Sequence, residues 1–146
     1  LLMRPYVVSS VKRDGKVIRQ NKPTVVRRVL EPEVADTLKG MMKTVVEEGE
    51  YQVARIPGYS ISGKTGTSSV PKKGGGYDPK LTIASFVGYS PVEDPQFIVL
   101  VKIDEPKKSP WGSEVAAPAF KNLARRLYTY MNIPPDKPVV AERKAP

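Results

Sequence analysis

Hydrophobic and polar positions along the chain alternate between short stretches of period two and two longer segments of helical spacing. Tyr6-Val7-Val8-Ser9-Ser10-Val11 and Lys16-Val17-Ile18 flank Asp14-Gly15. That dipeptide accepts the positive φ angles of a tight turn, so residues 6–20 are predicted to form a short peripheral hairpin. Glu31-Pro32-Glu33 opens a helix that Gly49 closes. Proline suits the first turn, and acidic side chains suit the positive end of the dipole. Val34, Leu38, Met41, Met42 and Val45 recur at helical spacing and predict one apolar stripe packed into a core.

Tyr59 to Thr67 reads as a strand, and Ser68 to Lys80 as a loop that Gly74-Gly75-Gly76 makes mobile. Leu81 to Tyr89 and Phe97 to Asp104 read as two further strands, with a connection short enough for an antiparallel pair. Their apolar residues fall on both faces, which predicts cover on both. Trp111-Gly112-Ser113 leads into a second helix, with Ala116, Phe120, Leu123, Leu127 and Tyr130 along one side. Pro118 is expected to start or kink it. Residues 1–133 form the folded part, and Pro134-Pro135-Asp136-Lys137-Pro138 begins a linker or disordered tail over 134–146.

The 146 residues suffice for one domain or part of a larger one. Leu1-Leu2-Met3 is no translation start, so the chain is expected to be part of a longer protein. Apolar runs such as Phe97 to Val101 fall far short of the roughly 20 residues needed to cross a bilayer, so this piece is expected to be soluble. Histidine and cysteine are absent, which removes Ser-His-Asp and Cys-His catalysis and any typical zinc site. The chemistry that remains belongs to lysine, hydroxyls, carboxylates and backbone. No metal or other cofactor is expected. A net charge of +9 raises the question of nucleic acid. The cations are scattered as Lys12-Arg13, Arg27-Arg28, Lys72-Lys73, Lys107-Lys108 and Arg125-Arg126, which reads as solvated surface rather than a nucleic-acid site.

Ser62-Gly63-Lys64-Thr65-Gly66-Thr67-Ser68 carries the most chemical information. Gly58 to Thr65 satisfies the phosphate-loop pattern G-x-x-x-x-G-K-[ST], and Phe97 to Asp104 imitates a magnesium-holding strand. A phosphate loop must run straight into a helix, whose N-terminus supplies amides and positive dipole to the anion. Here Gly66-Thr67-Ser68-Ser69-Val70-Pro71 follows, and the strand and helix alternation of a nucleotide-binding sheet is missing. The alternative is the Lys-Thr-Gly motif of penicillin-interactive serine acyltransferases, Lys64-Thr65-Gly66. Gly66 lets another backbone approach between two threonines that can hydrogen-bond a carboxylate. Lys64 projects to the face opposite Thr65, and an exposed strand edge can pair with an extended peptide.

The likeness continues through Val45-Val46-Glu47-Glu48-Gly49, Ile56-Pro57-Gly58-Tyr59, Gly63 to Thr67, Ala84 to Pro91, Ile103-Asp104-Glu105-Pro106 and Ala116 to Phe120. From about Arg4 to Met131 the sequence resembles the class B penicillin-binding proteins. The resemblance implies an α+β fold, the C-terminal part of a transpeptidase domain, with the last three strands of a five-stranded antiparallel sheet packed with helices. It implies peptidoglycan D,D-transpeptidation by serine acyl transfer, with stem peptides and β-lactams as ligands, other cell-wall synthesis proteins as partners and no nucleic acid. It also implies a parent protein anchored in the bacterial membrane with this domain outside the cytoplasm.

By the same resemblance Lys64 supplies electrostatic and proton-relay support, while Gly66 admits the close approach. Thr65, Thr67 and Ser68 bind substrate, and the Thr67 backbone N–H is one oxyanion donor. The nucleophilic serine is not found. Ser9-Ser10-Val11-Lys12 and Ser69-Val70-Pro71-Lys72 fit S-x-x-K, but one lies in a strand-like run and the other in a loop, whereas the family's motif opens a buried helix. Tyr130-Met131-Asn132 imitates the second motif at the wrong place, the end of the last helix. The isolated chain is therefore expected to be inactive, and uncovered apolar faces and a free strand edge are expected to make it self-associate. A sensor or scaffold without catalysis is the alternative for the parent protein.

Overall fold

The computed structural model describes residues 1–49 and 52–138, which fall into two compact units, Leu1–Thr37 and Leu38–Pro146. In the first, β1 (Leu2–Met3) pairs antiparallel with a later strand, β4 (Val25–Arg27), and β2 (Ser10–Arg13) with β3 (Lys16–Gln20). The turn falls where predicted: Asp14 and Gly15 take φ of 49° and 76°. The Asn21 side-chain amide donates to Val8 O at 2.6 Å and its backbone N–H to Ser9 O at 2.9 Å, fastening the hairpin base.

Helix α1 spans Pro32–Glu47, and the division between the units lies inside it. Gly49 stops it as expected: a Cβ there would stand 2.6 Å from Val45 O, while its N–H reaches Thr44 O. The predicted core stripe needs correction. Val34, Leu38 and Met41 are exposed, Met42 and Val45 are half-buried, and the residue that enters the core is Val46. Among the described residues Val46, in the last turn of α1, is the member of this helix that joins the core cluster.

The second unit is built on a meander of consecutive antiparallel strands, β5 (Ser62–Pro71), β6 (Tyr77–Ser90) and β7 (Phe97–Asp104), in that spatial order. The loop expected over 68–80 is mostly strand. Pro71 pairs with Tyr77, and only residues 72–76 turn, with Gly74, Gly75 and Gly76 all at positive φ. Polar Ser68, Ser69 and Lys80 disguised the strands because they sit on an exposed stretch where no apolar alternation is needed.

Helix α2 (Gly112–Tyr130) lies on one face of the sheet. Phe86 from β6 and Phe120 from α2 meet with ring centroids 4.9 Å apart, at the centre of a cluster that includes Ile61, Ala116, Ala117, Ala124 and Tyr128. Gly88 admits the Phe120 ring: a Cβ there would be 2.7 Å from Phe120 Cζ. The expected α2 stripe is shifted, because Leu123 and Tyr130 face solvent while Ala117, Ala124 and Tyr128 are inside. Pro118 sits within the helix rather than at its start. The prediction that both sheet faces are covered also fails at β7. Phe97, Val99, Val101 and Ile103 turn toward the core, whereas Ile98 and Leu100 on the other face are 70% and 66% exposed.

The segment expected as linker or tail returns to the fold through residue 138, and residues 139–146 lie outside the described part. Asp136 accepts the Ser60 N–H at 2.7 Å and also its hydroxyl, and the N–H groups of Asp136 and Lys137 donate to Gly58 O. Lys137 pairs with Glu47.

Candidate active site

β5 is an edge strand. It pairs with β6 on one side, and the described residues place no strand on its other side. The motif lies in the middle of that pairing, with Lys64 opposite Val87, Thr65 opposite Phe86, Gly66 opposite Ser85 and Thr67 opposite Ala84. Because side chains alternate along a strand, Gly63, Thr65 and Thr67 share the α2 face with Phe86 and Ala84, while Lys64, Gly66 and Ser68 point to the opposite face. Lys64 Nζ donates to Thr65 O at 3.0 Å. Thr67 and Ser68 are exposed, and Thr65 and Gly66 are half-buried.

Two neighbours of the motif were not read from the sequence. The Ser85 hydroxyl donates to Gly66 O at 3.3 Å, and a Cβ on Gly66 would come within 2.6 Å of that hydroxyl. Gly112, which opens α2, directs its N–H at Thr67 Oγ across 3.4 Å. A Cβ on Gly112 would strike Ser85 O at 2.4 Å and Gly66 O at 2.9 Å. The signal available was the glycine of Trp111-Gly112-Ser113, but nothing local says which strand it meets.

Other polar features lie apart from the motif. A cavity of about 470 Å³ is lined by residues that include Arg55, Ile56, Tyr59, Lys121 and Lys137, and by none of Lys64 to Ser68. Burial holds the Lys121 ammonium below the usual lysine range, helped by Arg125 and Arg55. Tyr128 stacks on Tyr59 at 3.6 Å, and its hydroxyl lies 2.6 Å from Ser90 Oγ. Ser90 donates to Ser60 O at 2.6 Å, so the Tyr128 hydroxyl is the donor to Ser90. Burial pushes the Tyr128 phenol up to about 12, with the Ser90 hydrogen bond opposing and Asp136 and Tyr59 adding. This network closes the base of the sheet and fixes Ser60, just ahead of β5.

The S-x-x-K decoys are disposed of by geometry. Ser9 immediately precedes β2, which holds Lys12, while Ser69 lies in β5 and Lys72 in the turn after it, so neither serine opens a helix. Tyr130 is the last residue of α2. The phosphate-loop reading fails on the same ground, because Lys64 and Thr65 lie inside a strand that continues to Pro71 and then turns into β6. Among the described residues no group of His, Cys, Asp or Glu could hold a metal ion.

Residues 1–125 match the family model of the penicillin binding protein transpeptidase domain. The chain belongs to that family. It is 37% identical over 142 residues to a probable peptidoglycan D,D-transpeptidase, PbpC, of Pseudomonas aeruginosa, covering 90% of this chain and 25% of the relative. Among solved structures, the transpeptidase domain of penicillin-binding protein 3 from Burkholderia pseudomallei superposes with a TM-score of 0.70 at 34% identity, covering 88% of this chain and 37% of that one. Penicillin-binding protein 3 from Mycobacterium tuberculosis, complexed with ampicillin, gives 0.72 at 28% identity, covering 89% and 32%. The α+β fold and its antiparallel sheet are thus those of a partial penicillin-binding-protein transpeptidase domain. The chain spans about a quarter of the curated relative's length. Among the described residues no helix is long and apolar enough to cross a membrane.

Proposed function

We propose that this chain forms the substrate-side wall of a peptidoglycan D,D-transpeptidase site. In that reaction a serine attacks the carbonyl of the penultimate D-Ala of a stem peptide. The bond to the terminal D-Ala breaks, an ester to serine forms, and an amine of a neighbouring strand then takes the acyl group while serine regains its proton. The observation that carries the proposal is the position of Lys64 to Thr67 on an edge strand whose outer side can receive an extended peptide as an added strand.

Within this reading the Thr65 and Thr67 hydroxyls, with Ser68 beside them, hold the carboxylate of the terminal D-Ala or of a β-lactam. The Thr67 backbone N–H donates to the oxyanion that forms when serine attacks. Lys64, from the opposite face of the strand, contributes positive charge and helps move the serine proton. Gly66 keeps its side of the strand free for Ser85. The nucleophile belongs to another part of the parent protein, so the isolated chain does not acylate. The ampicillin complex of the mycobacterial relative supports β-lactams as ligands. The parent protein is a membrane-anchored enzyme of cell-wall synthesis with this domain outside the cytoplasm.

Intact-mass analysis of the full protein with benzylpenicillin tests the assignment. Opening of the lactam ring expels no group, so the expected product is the protein plus the whole antibiotic. Lys64→Ala and Thr65→Ala should slow its formation by about tenfold or more. A folded full protein that gains no mass, or variants that acylate at the parent rate, would overturn the proposal.

A further inference from the structure

We infer that Gly112 is a positioning residue for the Thr67 hydroxyl, so that one group serves both as the cap of α2 and as the carboxylate donor. The inference rests on the reading of β5 as the carboxylate-binding strand. The first N–H groups of a helix have no partner within it, and a side chain at the N-cap ordinarily supplies one. Here the N-cap is Trp111, which makes no side-chain cap hydrogen bond. Gly112 N–H points instead to Thr67 Oγ, a hydroxyl from a strand 45 positions earlier in the chain.

A threonine hydroxyl has one proton to give and two lone pairs to receive. An ionised carboxylate only receives. With the Gly112 N–H on a lone pair, the Thr67 proton cannot point at α2, and the side chain is set to give that proton to a ligand. The positive end of the α2 dipole lies behind the same hydroxyl and favours an anion there. Glycine is required because the helix start lies against backbone: a Cβ on Gly112 would overlap Ser85 O and Gly66 O, neither of which can swing away as a side chain could. The cross-strand pair Gly66 and Ser85 thus forms the seat on which α2 begins.

The experiment measures the second-order acylation rate of the full protein by benzylpenicillin for the parent, Gly112→Ala, Thr67→Val and the double variant. Each single change should lower the rate by about tenfold, the loss of one hydrogen bond to a charged group. If Gly112 acts through Thr67, the double variant should be no slower than Thr67→Val alone. Multiplied losses would mean that Gly112 acts only through general structure, and would overturn the inference. A second readout serves if Gly112→Ala does not fold. Without ligand, Thr67→Val should lower the domain's unfolding midpoint by about 2–4 °C through loss of a cap, whereas Thr67→Ser should retain it. An unchanged midpoint for Thr67→Val overturns the inference, since valine is otherwise at home in a strand. A parent protein that is not acylated would sink the carboxylate-strand reading while leaving the midpoint comparison intact.

Discussion

Phe120→Ala should cost about 4 kcal/mol of stability, toward the upper part of the range for emptying a buried aromatic site. Phe120 is fully buried, and its ring fills the space that Gly88 leaves open while packing tilted against Phe86, with ring centroids 4.9 Å apart. Two features place the cost high. The ring pair contributes beyond its area, by about 0.5–1.5 kcal/mol. One wall of the cavity, at Gly88, is β6 backbone held by pairing on both sides, and it cannot close over the vacancy. Leu123→Ala is the control from the same helix. Leu123 is 41% exposed, so its removal should cost less than about 1 kcal/mol, although helical spacing alone puts it on the same stripe as Phe120. Urea unfolding of the chain separates the two. With a slope of about 2 kcal/mol per molar, Phe120→Ala should lower the midpoint by about 2 M and Leu123→Ala by under 0.5 M, with slopes unchanged. Equal shifts for the two variants would refute the packing of α2 described above.

Gly88→Ala should destabilise by about 1–3 kcal/mol through overpacking against Phe120 and Phe86, and the double variant with Phe120→Leu should recover part of that in the same urea assay. The Tyr128 phenol is raised to about 12 in the folded chain and titrates near 10 when unfolded. Its contribution is therefore complete below pH 10 and is lost as the pH rises from 10 to about 12; Tyr128→Phe should flatten that alkaline limb of a stability profile. The isolated chain should self-associate through the free edge of β5 and the exposed Ile98 and Leu100, and Ile98→Lys with Leu100→Glu should shift its sedimentation toward monomer. A parent chain that already sediments as a monomer at high concentration would count against this.

Some elements were legible because one cue settled them. Strand β7 runs Phe97 to Asp104 as read, since eight β-favouring or flanking residues stand between two proline-bearing turns. Helix α1 begins at Pro32 and stops short of Gly49 because both signals act locally. What was not legible depended on the third dimension. Which side of α2 is buried turns on Ala117 and Ala124, small residues that a count of large apolar side chains passes over. The ends of β5 and β6 nearest their connecting turn are exposed and largely polar, so no apolar alternation marks them. The motif residues could be named from the sequence, and their neighbouring strand was expected. The approach of Gly112 could not be, because a hydrogen bond between residues so far apart leaves no periodic trace.

The order of the strands in the sheet bears on how it assembles. Because β5, β6 and β7 follow one another in the chain and α2 comes directly after, each new pairing closes only a short loop, whose entropic cost grows slowly with length. Contacts of this local kind form early in folding, ahead of those between distant segments. The hypothesis that follows is a meander that forms as one cooperative piece, which pulsed hydrogen exchange would contradict if β6 gained protection well after α2. On this view the outer edges of β5 and β7 stay without a strand partner among the described residues when the meander closes, and under the proposed function the β5 edge is the one that substrate then occupies.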